Sequence, residues 1–348
     1  MIDPIAIRKE RWLDFYDLSQ ARQQRFIINH LPGLDDRPWP WTDNHPARLE
    51  WAWKKYCLMS ERVSWLDDDW LPYLDVYTGT EIFAAAFGCP VHSPENDMPF
   101  ALPRVHSASE AAALRIPDLD CAAIAPLLET AEELRRRAGP GALLRMVDLQ
   151  SPMDIAALIW EKTSFYPALL QAPEAVLELA DKVQSFMMRF LDEWLARFGR
   201  EFIAHYPDYY MAQGITLSVD EIGVVSPKVY EQFFLPELVH LSQRYGGIGI
   251  HCCAHARHQW VGLKRVPGLK LLNLNQPGGV MRKAVGVFGD SVALWPIVQG
   301  EEEAWFAGPE KVPAPARMVW EFNASTRDEA LAIVERMKKI NQRKEVLG

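Results

Sequence analysis

Ile248-Gly249-Ile250-His251-Cys252-Cys253 is followed by a helical stretch at 256–265, and then by Leu269-Lys270-Leu271-Leu272-Asn273-Leu274. A second helical stretch at 280–285 leads to another apolar run at 292–299. Short apolar runs without polar alternation are the signature of strands buried on both faces, and strands separated by helices lie parallel. The same rhythm extends outward. Strand-like runs occupy 70–77, 142–148, 209–218 and 317–322, with helices at 80–87, 153–158, 165–170, 173–198, 227–245 and 326–341. Helices are also expected near 109–114 and 124–138, after a proline-rich segment at 89–103.

Residues 1–30 read as one or two amphipathic helices, with Trp12, Phe15, Leu18, Phe26 and Ile27 among charges. Pro32-Gly33, Arg37-Pro38-Trp39-Pro40-Trp41 and His45-Pro46 exclude regular helix or central strand at 31–46, because proline removes a donor and restricts its neighbour. Helix resumes at 47–62. The expected fold is α/β, a closed (β/α)8 TIM barrel over 70–348 with an N-terminal helical, Pro/Trp-rich extension over 1–69, in one domain overall. An open doubly wound sheet is the alternative, but no glycine-rich dinucleotide fingerprint follows any strand.

At 348 residues, 49% hydrophobic and 24% charged, the chain can bury a large core. Its 37 basic residues against 46 acidic ones, net −9, leave no cationic excess for a phosphate backbone, so nucleic acid is excluded as a general partner. No apolar run reaches the roughly 18 residues a membrane span needs. Met1-Ile2-Asp3-Pro4, followed by Arg8-Lys9-Glu10-Arg11, does not read as a secretory signal. The five cysteines, with Cys57, Cys89 and Cys121 isolated and Cys252-Cys253 adjacent, form no disulfide framework, and a reducing cytoplasm is expected.

In a (β/α)8 barrel the active site lies at the carboxyl ends of the strands. Those ends offer Asp148 and Gln150, Asp220 and Glu221, His251 and Cys253, Asn273 and Asn275, Trp295 and Gln299, and Glu321 and Asn323. In an extended strand His251 and Cys253 point the same way while Cys252 turns into the wall. An imidazole and a thiolate on one side hold Zn2+ when other strands add ligands; a buried cysteine packed beside a hydrogen-bonded histidine is the alternative. His255 and His258, three apart, offer a second arrangement on a helical face. In Ser218-Val219-Asp220-Glu221 one carboxylate is expected at the barrel mouth, to bind a cation, orient a metal ligand or move a proton. Asp67-Asp68-Asp69 reads as a solvated turn or helix cap. Trp39, Trp41, Trp51 and Trp53 fit a substrate lid or plain packing. Nucleophile-elbow, Walker and serine-triad patterns are absent.

Asp220-Glu221-Ile222-Gly223-Val224-Val225-Ser226-Pro227, running on to Tyr230, Phe233-Phe234 and Pro236, resembles a segment of the uroporphyrinogen decarboxylase superfamily. As in that superfamily, it leads into a strand ending in His-x-Cys. Gln150-Ser151-Pro152-Met153-Asp154-Ile155-Ala156, Pro173-Glu174-Ala175-Val176 and residues 73–91 are similar to further family segments, so the likeness covers roughly 70–340. The resemblance implies a TIM barrel and one of two chemistries. One is cofactor-free decarboxylation of porphyrinogens; the other is methyl transfer between corrinoid proteins and thiols or methoxylated compounds, on zinc held by His-x-Cys and a later Cys. The arginine-rich decarboxylase signature is absent, and Arg37-Pro38-Trp39 is a poor substitute. No cysteine follows Cys253, and Glu321 is the strong candidate near the position of the third ligand.

The leading expectation is therefore a zinc-dependent methyltransferase or O-demethylase with metal on His251, Cys253 and Glu321. Asp220 and Glu221 are the expected catalytic carboxylates. Asp148, Gln150, Asn273, Asn275, Trp295, Gln299 and Asn323 are the expected contacts to a small-molecule substrate. A corrinoid is expected on a partner protein or free, and a homodimer is open. The alternatives are a metal-free decarboxylase or lyase, with Arg145 or Arg282, both read as surface charges, binding a substrate carboxylate, and a barrel that only binds a ligand.

Overall fold

Parallel strands carry the architecture of the computed structural model, which describes residues 3–19, 24–40, 44–299, 309–312 and 316–347. They are β1 (Arg25–Asn29), β2 (Tyr73–Leu74), β3 (Leu143–Leu144), β4 (Ile215–Ser218), β5 (Ile248–Cys252), β6 (Leu269–Pro277), β7 (Ala293–Gln299) and β8 (Val319–Asn323). β2 pairs with β3, and a parallel bridge from Gln150 to Ser218 links the segment after β3 to β4. β4, β5, β6 and β7 form one four-stranded parallel sheet in that order. Leu294 bridges to Met318 just before β8, and β8 pairs with β1 in parallel. β1 meets the run-in to β2 through Asp69 N–H to the Phe26 carbonyl, 2.9 Å. Neighbouring strands thus follow chain order, with helices between them: a mixed α/β fold.

The helices lie where the sequence punctuates. Pro173 opens a 26-residue helix, Pro173–Phe198, and Gly199 at φ 89° ends it. Val176, Leu179, Val183, Phe186, Phe190 and Trp194 form its buried stripe at helical spacing. Ser151 caps the helix Pro152–Ile159 by accepting from Asp154 N–H. Among the described residues no helix is long and apolar enough to cross a membrane.

Three expectations are corrected. Residues 1–30, expected to be helical, hold one helix, Pro4–Tyr16, and then the strand β1. Phe26, Ile27 and Ile28 are consecutive and all buried, which a strand between two neighbours allows and a one-sided helix does not. Asp67-Asp68-Asp69 is no solvated run. Asp68 and Asp69 are buried, and their carboxylates accept the N–H groups of Ile28 and Phe26, both at 2.9 Å. Arg62, itself 2% exposed, pairs with Asp68. Residues 209–218 are not one strand: Tyr210–Met211 pairs antiparallel with Phe202–Ile203, and the chain then turns into β4. Gly214 makes that turn at φ 119°, where a Cβ would sit 2.7 Å from the Gly247 carbonyl oxygen.

Candidate active site

β4 and β5 run side by side with Ser218 opposite His251, so the residues just beyond each strand meet. Asp220, His251 and Cys253 converge there, with a potential ligand atom from each lying within 4.8 Å of the others. Strand alternation separates the two cysteines: Cys252 is fully buried, and Cys253 is exposed on the side of His251. The Asp220 carboxylate also accepts the Cys253 N–H at 2.7 Å, tying the end of β4 to the end of β5.

His251 is oriented from behind. Its Nδ1–H donates to Asn273 Oδ1 at 2.5 Å, and Asn273 Nδ2 donates to the Trp295 carbonyl at 2.8 Å, which fixes the amide. The tautomer this imposes puts the lone pair on Nε2, the nitrogen a metal takes. In a tetrahedral zinc site with bonds of about 2.0–2.3 Å, ligand atoms stand about 3.3–3.8 Å apart, so shifts of about 1 Å close this set. The donors fit a borderline-soft divalent cation: one nitrogen, one sulfur and one oxygen. Burial pushes the Cys253 thiol up to about 12, and the Asp220 carboxylate adds to the shift. A divalent cation between thiol and carboxylate reverses that electrostatic sign.

Glu321, expected as the third ligand, stands outside the cluster. It is exposed, and its Oε1 accepts from Asn29 Nδ2 at 2.6 Å on the neighbouring β1. Asn323 accepts from the same amide at 3.1 Å. Glu221 turns away from Asp220 and is held by Lys162 and Tyr166, so its carboxylate is committed elsewhere. Asn273 is fully buried, with both ends of its amide spent on His251 and the Trp295 carbonyl. His255 and His258 do not act together, since His255 meets Gln276 Oε1 at 3.0 Å and His258 meets the Val225 carbonyl at 2.9 Å. Gln150 Oε1, Asn275 Oδ1 and Asp148 Oδ1 are buried without a hydrogen-bond partner. The Gln299 side chain lies outside the described residues.

A cavity of about 190 Å³ opens beside this cluster, lined among others by Asn29, Arg37, Arg145, Tyr206, Trp295 and Glu321. Tyr206 joins the two, because its ring meets the His251 ring edge-on at 4.9 Å. Trp295 is 1% exposed, and its indole N–H has no hydrogen-bond partner. Arg37 lies flat over Tyr77 at 3.4 Å, with Asp75 4.0 Å away.

Asp75, Asp208, His205 and Tyr206 were not foreseen from sequence, and Arg145 and Asp148 stand in surroundings that it did not show. Arg145, expected at the surface, is 5% exposed and bonded to Asp75 and Asp208, both at 3.2 Å. Asp75 also pairs with Lys55 at 2.8 Å. Burial alone would raise the Asp75 pKa, but Lys55, Arg145 and Arg37 outweigh it and hold the carboxyl well below the usual range. His205 is buried against Thr216, Ser218 and Asp148, and burial keeps it neutral. Burial raises Asp148 to about 7, against the pull of Arg145 and with the push of Asp220. Asp75 had a signal in the sequence, as the one charge inside the apolar run 70–77; His205 and Tyr206 had none.

No curated protein matches the sequence. Among solved structures, a methyltransferase from Methanosarcina mazei is similar, with a TM-score of 0.65 and 14% identity, over 95% of this chain and 98% of that one. At that identity the likeness is one of fold. The family model for uroporphyrinogen decarboxylase (URO-D) matches residues 76–294. That stretch is well over half of the chain, includes β3 to β6 and carries Asp220, His251 and Cys253: the chain belongs to the uroporphyrinogen decarboxylase family.

Proposed function

We propose that this protein is a zinc-dependent methyltransferase or O-demethylase of the URO-D family, built on a closed (β/α)8 barrel. The strand order and parallel sense support the barrel. The convergence of Asp220, His251 and Cys253 at the ends of two adjacent strands carries the functional reading. A bound Zn2+ would supply Lewis acidity, lowering the pKa of a thiol or polarising the oxygen of a methyl ether.

The chain's own residues do the rest. Asn273 keeps His251 Nδ1 protonated and Nε2 free. Asp220 would contribute a carboxylate oxygen to the metal and, through the Cys253 N–H, holds the sulfur's backbone in register. The cavity takes the substrate, a small molecule, while Tyr206 stands between that cavity and His251. A corrinoid, free or on a partner protein, would supply or accept the methyl group.

Elemental analysis of the untagged protein and of the variants His251→Ala, Cys253→Ala and Asp220→Ala tests this reading. About one zinc per chain, lost in all three variants, is the expected result, followed by corrinoid-dependent demethylation. Zinc-free protein after zinc has been supplied overturns it. The second reading is then metal-free decarboxylation, favoured by the guanidinium of Arg37 in the cavity wall, which makes no hydrogen bond among the described residues.

A further inference from the structure

Asp154 sits in the first turn of the helix Pro152–Ile159, 2% exposed, and makes no hydrogen bond to any of the three candidate ligand side chains. Its Oδ1 accepts two consecutive backbone N–H groups from another element: Asp220 at 2.7 Å and Glu221 at 2.9 Å. Its Oδ2 takes the hydroxyl of Ser151, which in turn accepts the Asp154 N–H at 3.1 Å, so the carboxylate is itself immobilised. The two amides it accepts lead into the 3-10 turn Glu221–Gly223, where N–H groups lack partners within the turn. Asp220 is the N-cap of that turn but makes no side-chain capping bond; its carboxylate is directed to Cys253 N–H instead. The cap is supplied remotely, by Asp154.

We propose that Asp154 is a positioning residue for the metal centre: by capping the turn after β4 from outside, it frees the Asp220 carboxylate to face His251 and Cys253. The proposal rests on the metal reading above and extends it to a residue beyond the ligands. Without Asp154, the half-buried amides of Asp220 and Glu221 lose their acceptor, and Asp220, as the N-cap residue, is the side chain placed to satisfy free N–H groups of the turn. Doing so would withdraw it from the other two ligands. On the far side of the loop, Gln259 Nε2 donates to the carbonyls of Ile222 and Val225, at 3.1 and 2.7 Å, and anchors it there. The β4 end of the loop depends on Asp154.

The test uses the full chain, wild type beside Asp154→Ala and Asp154→Asn, with two readouts. In metal-free protein, amide hydrogen exchange is followed at 220, 221 and 253; zinc affinity is then measured by chelator competition. Asp154→Ala is expected to lose protection at all three amides, including Cys253, whose N–H is accepted by Asp220 and not by Asp154. It is expected to bind one zinc about 10–100-fold more weakly, the usual effect of losing an outer partner. Asp154→Asn keeps an oxygen for both amides and is expected to stay within about threefold of wild type. If Asp154→Ala does not fold, Asp154→Glu, with the same charge and displaced oxygens, carries the same test. An alanine variant of lowered Tm whose Cys253 protection and zinc affinity match wild type overturns the proposal, since its role is then only to stabilise. Wild-type protein that takes up no zinc overturns the metal reading, and with it a metal-positioning role. Cys253 exchange separates that outcome from a failure of the remote cap.

Discussion

Replacing Asn273 by leucine removes one amide and keeps the branched four-atom outline of the side chain, so the lost hydrogen bonds act together with a modest overpacking from the two bulkier methyl groups. Asn273 is fully buried and spends both ends of its amide, Oδ1 on His251 Nδ1–H and Nδ2 on the Trp295 carbonyl. The variant leaves both of those groups without a partner. Each orphaned polar group costs about 1–3 kcal/mol of stability. It also frees the imidazole to rotate and to change tautomer, putting a proton on the nitrogen that faces the metal. Loss of such a partner weakens metal binding about 10–100-fold, which is about 1.4–2.7 kcal/mol. The assay is zinc affinity by chelator competition on protein that circular dichroism confirms as folded. Asn273→Asp, which keeps an acceptor for His251, is expected to recover most of the affinity even where it lacks wild-type stability. A leucine variant that binds zinc within about twofold of wild type would refute the assignment of His251 as an Nε2 ligand held from behind.

Three further outcomes are expected. Burial raises Glu81 from 4.5 to about 7, so the folded state holds that proton more tightly than the unfolded chain and loses stability as pH rises from 4.5 through 7. At pH 8 Glu81→Gln should therefore gain about 3 kcal/mol relative to its own difference from wild type at pH 4.5; parallel urea-stability profiles would exclude a buried carboxyl. Asp68→Ala leaves Arg62 buried and unpaired and should cost about 3–5 kcal/mol in urea unfolding, whereas a loss below about 1 would return Asp68 to a solvated run. In metal-free protein, Asp220→Asn removes the negative charge beside the Cys253 thiol, which stands at about 12, and should speed its alkylation at pH 8 relative to Cys57; peptide mapping that finds no change would separate the two side chains.

What the sequence reveals follows the range of the physics behind it. The helix Pro173–Phe198 is legible to the residue, because a proline starts it, a glycine stops it and the apolar spacing between them is local. β5, β6 and β7 are legible for the same reason, as short apolar runs between helices. β1 is hidden, since Phe26, Ile27 and Ile28 acquire their meaning only from the distant β8. The buried ion group of Asp75, Lys55 and Arg145 is hidden too, because hydropathy treats each charge as a surface residue until its partners are known. At the candidate site, period two is enough to set His251 and Cys253 on one face. The third member of the cluster is not the residue that the family resemblance implies: Glu321 stands at that position and bonds to Asn29, whereas Asp220, one strand away, lies beside His251 and Cys253.

The pairing of β1 with β8 joins segments 294 residues apart and gives the molecule an order of assembly. During synthesis, the strands that carry Asp220, His251 and Cys253 emerge with all their lateral partners except at the rim. β1 has to wait until Val319–Asn323 arrives to cover its edge. Until then the buried carboxylates of Asp68 and Asp69 hold β1 from one side only, and its other edge offers unpaired amides to any strand nearby. A chain that has reached only Cys253 would carry Asp220, His251 and Cys253 and still leave the free edge of β1 open to edge-to-edge association until Val319–Asn323 is made.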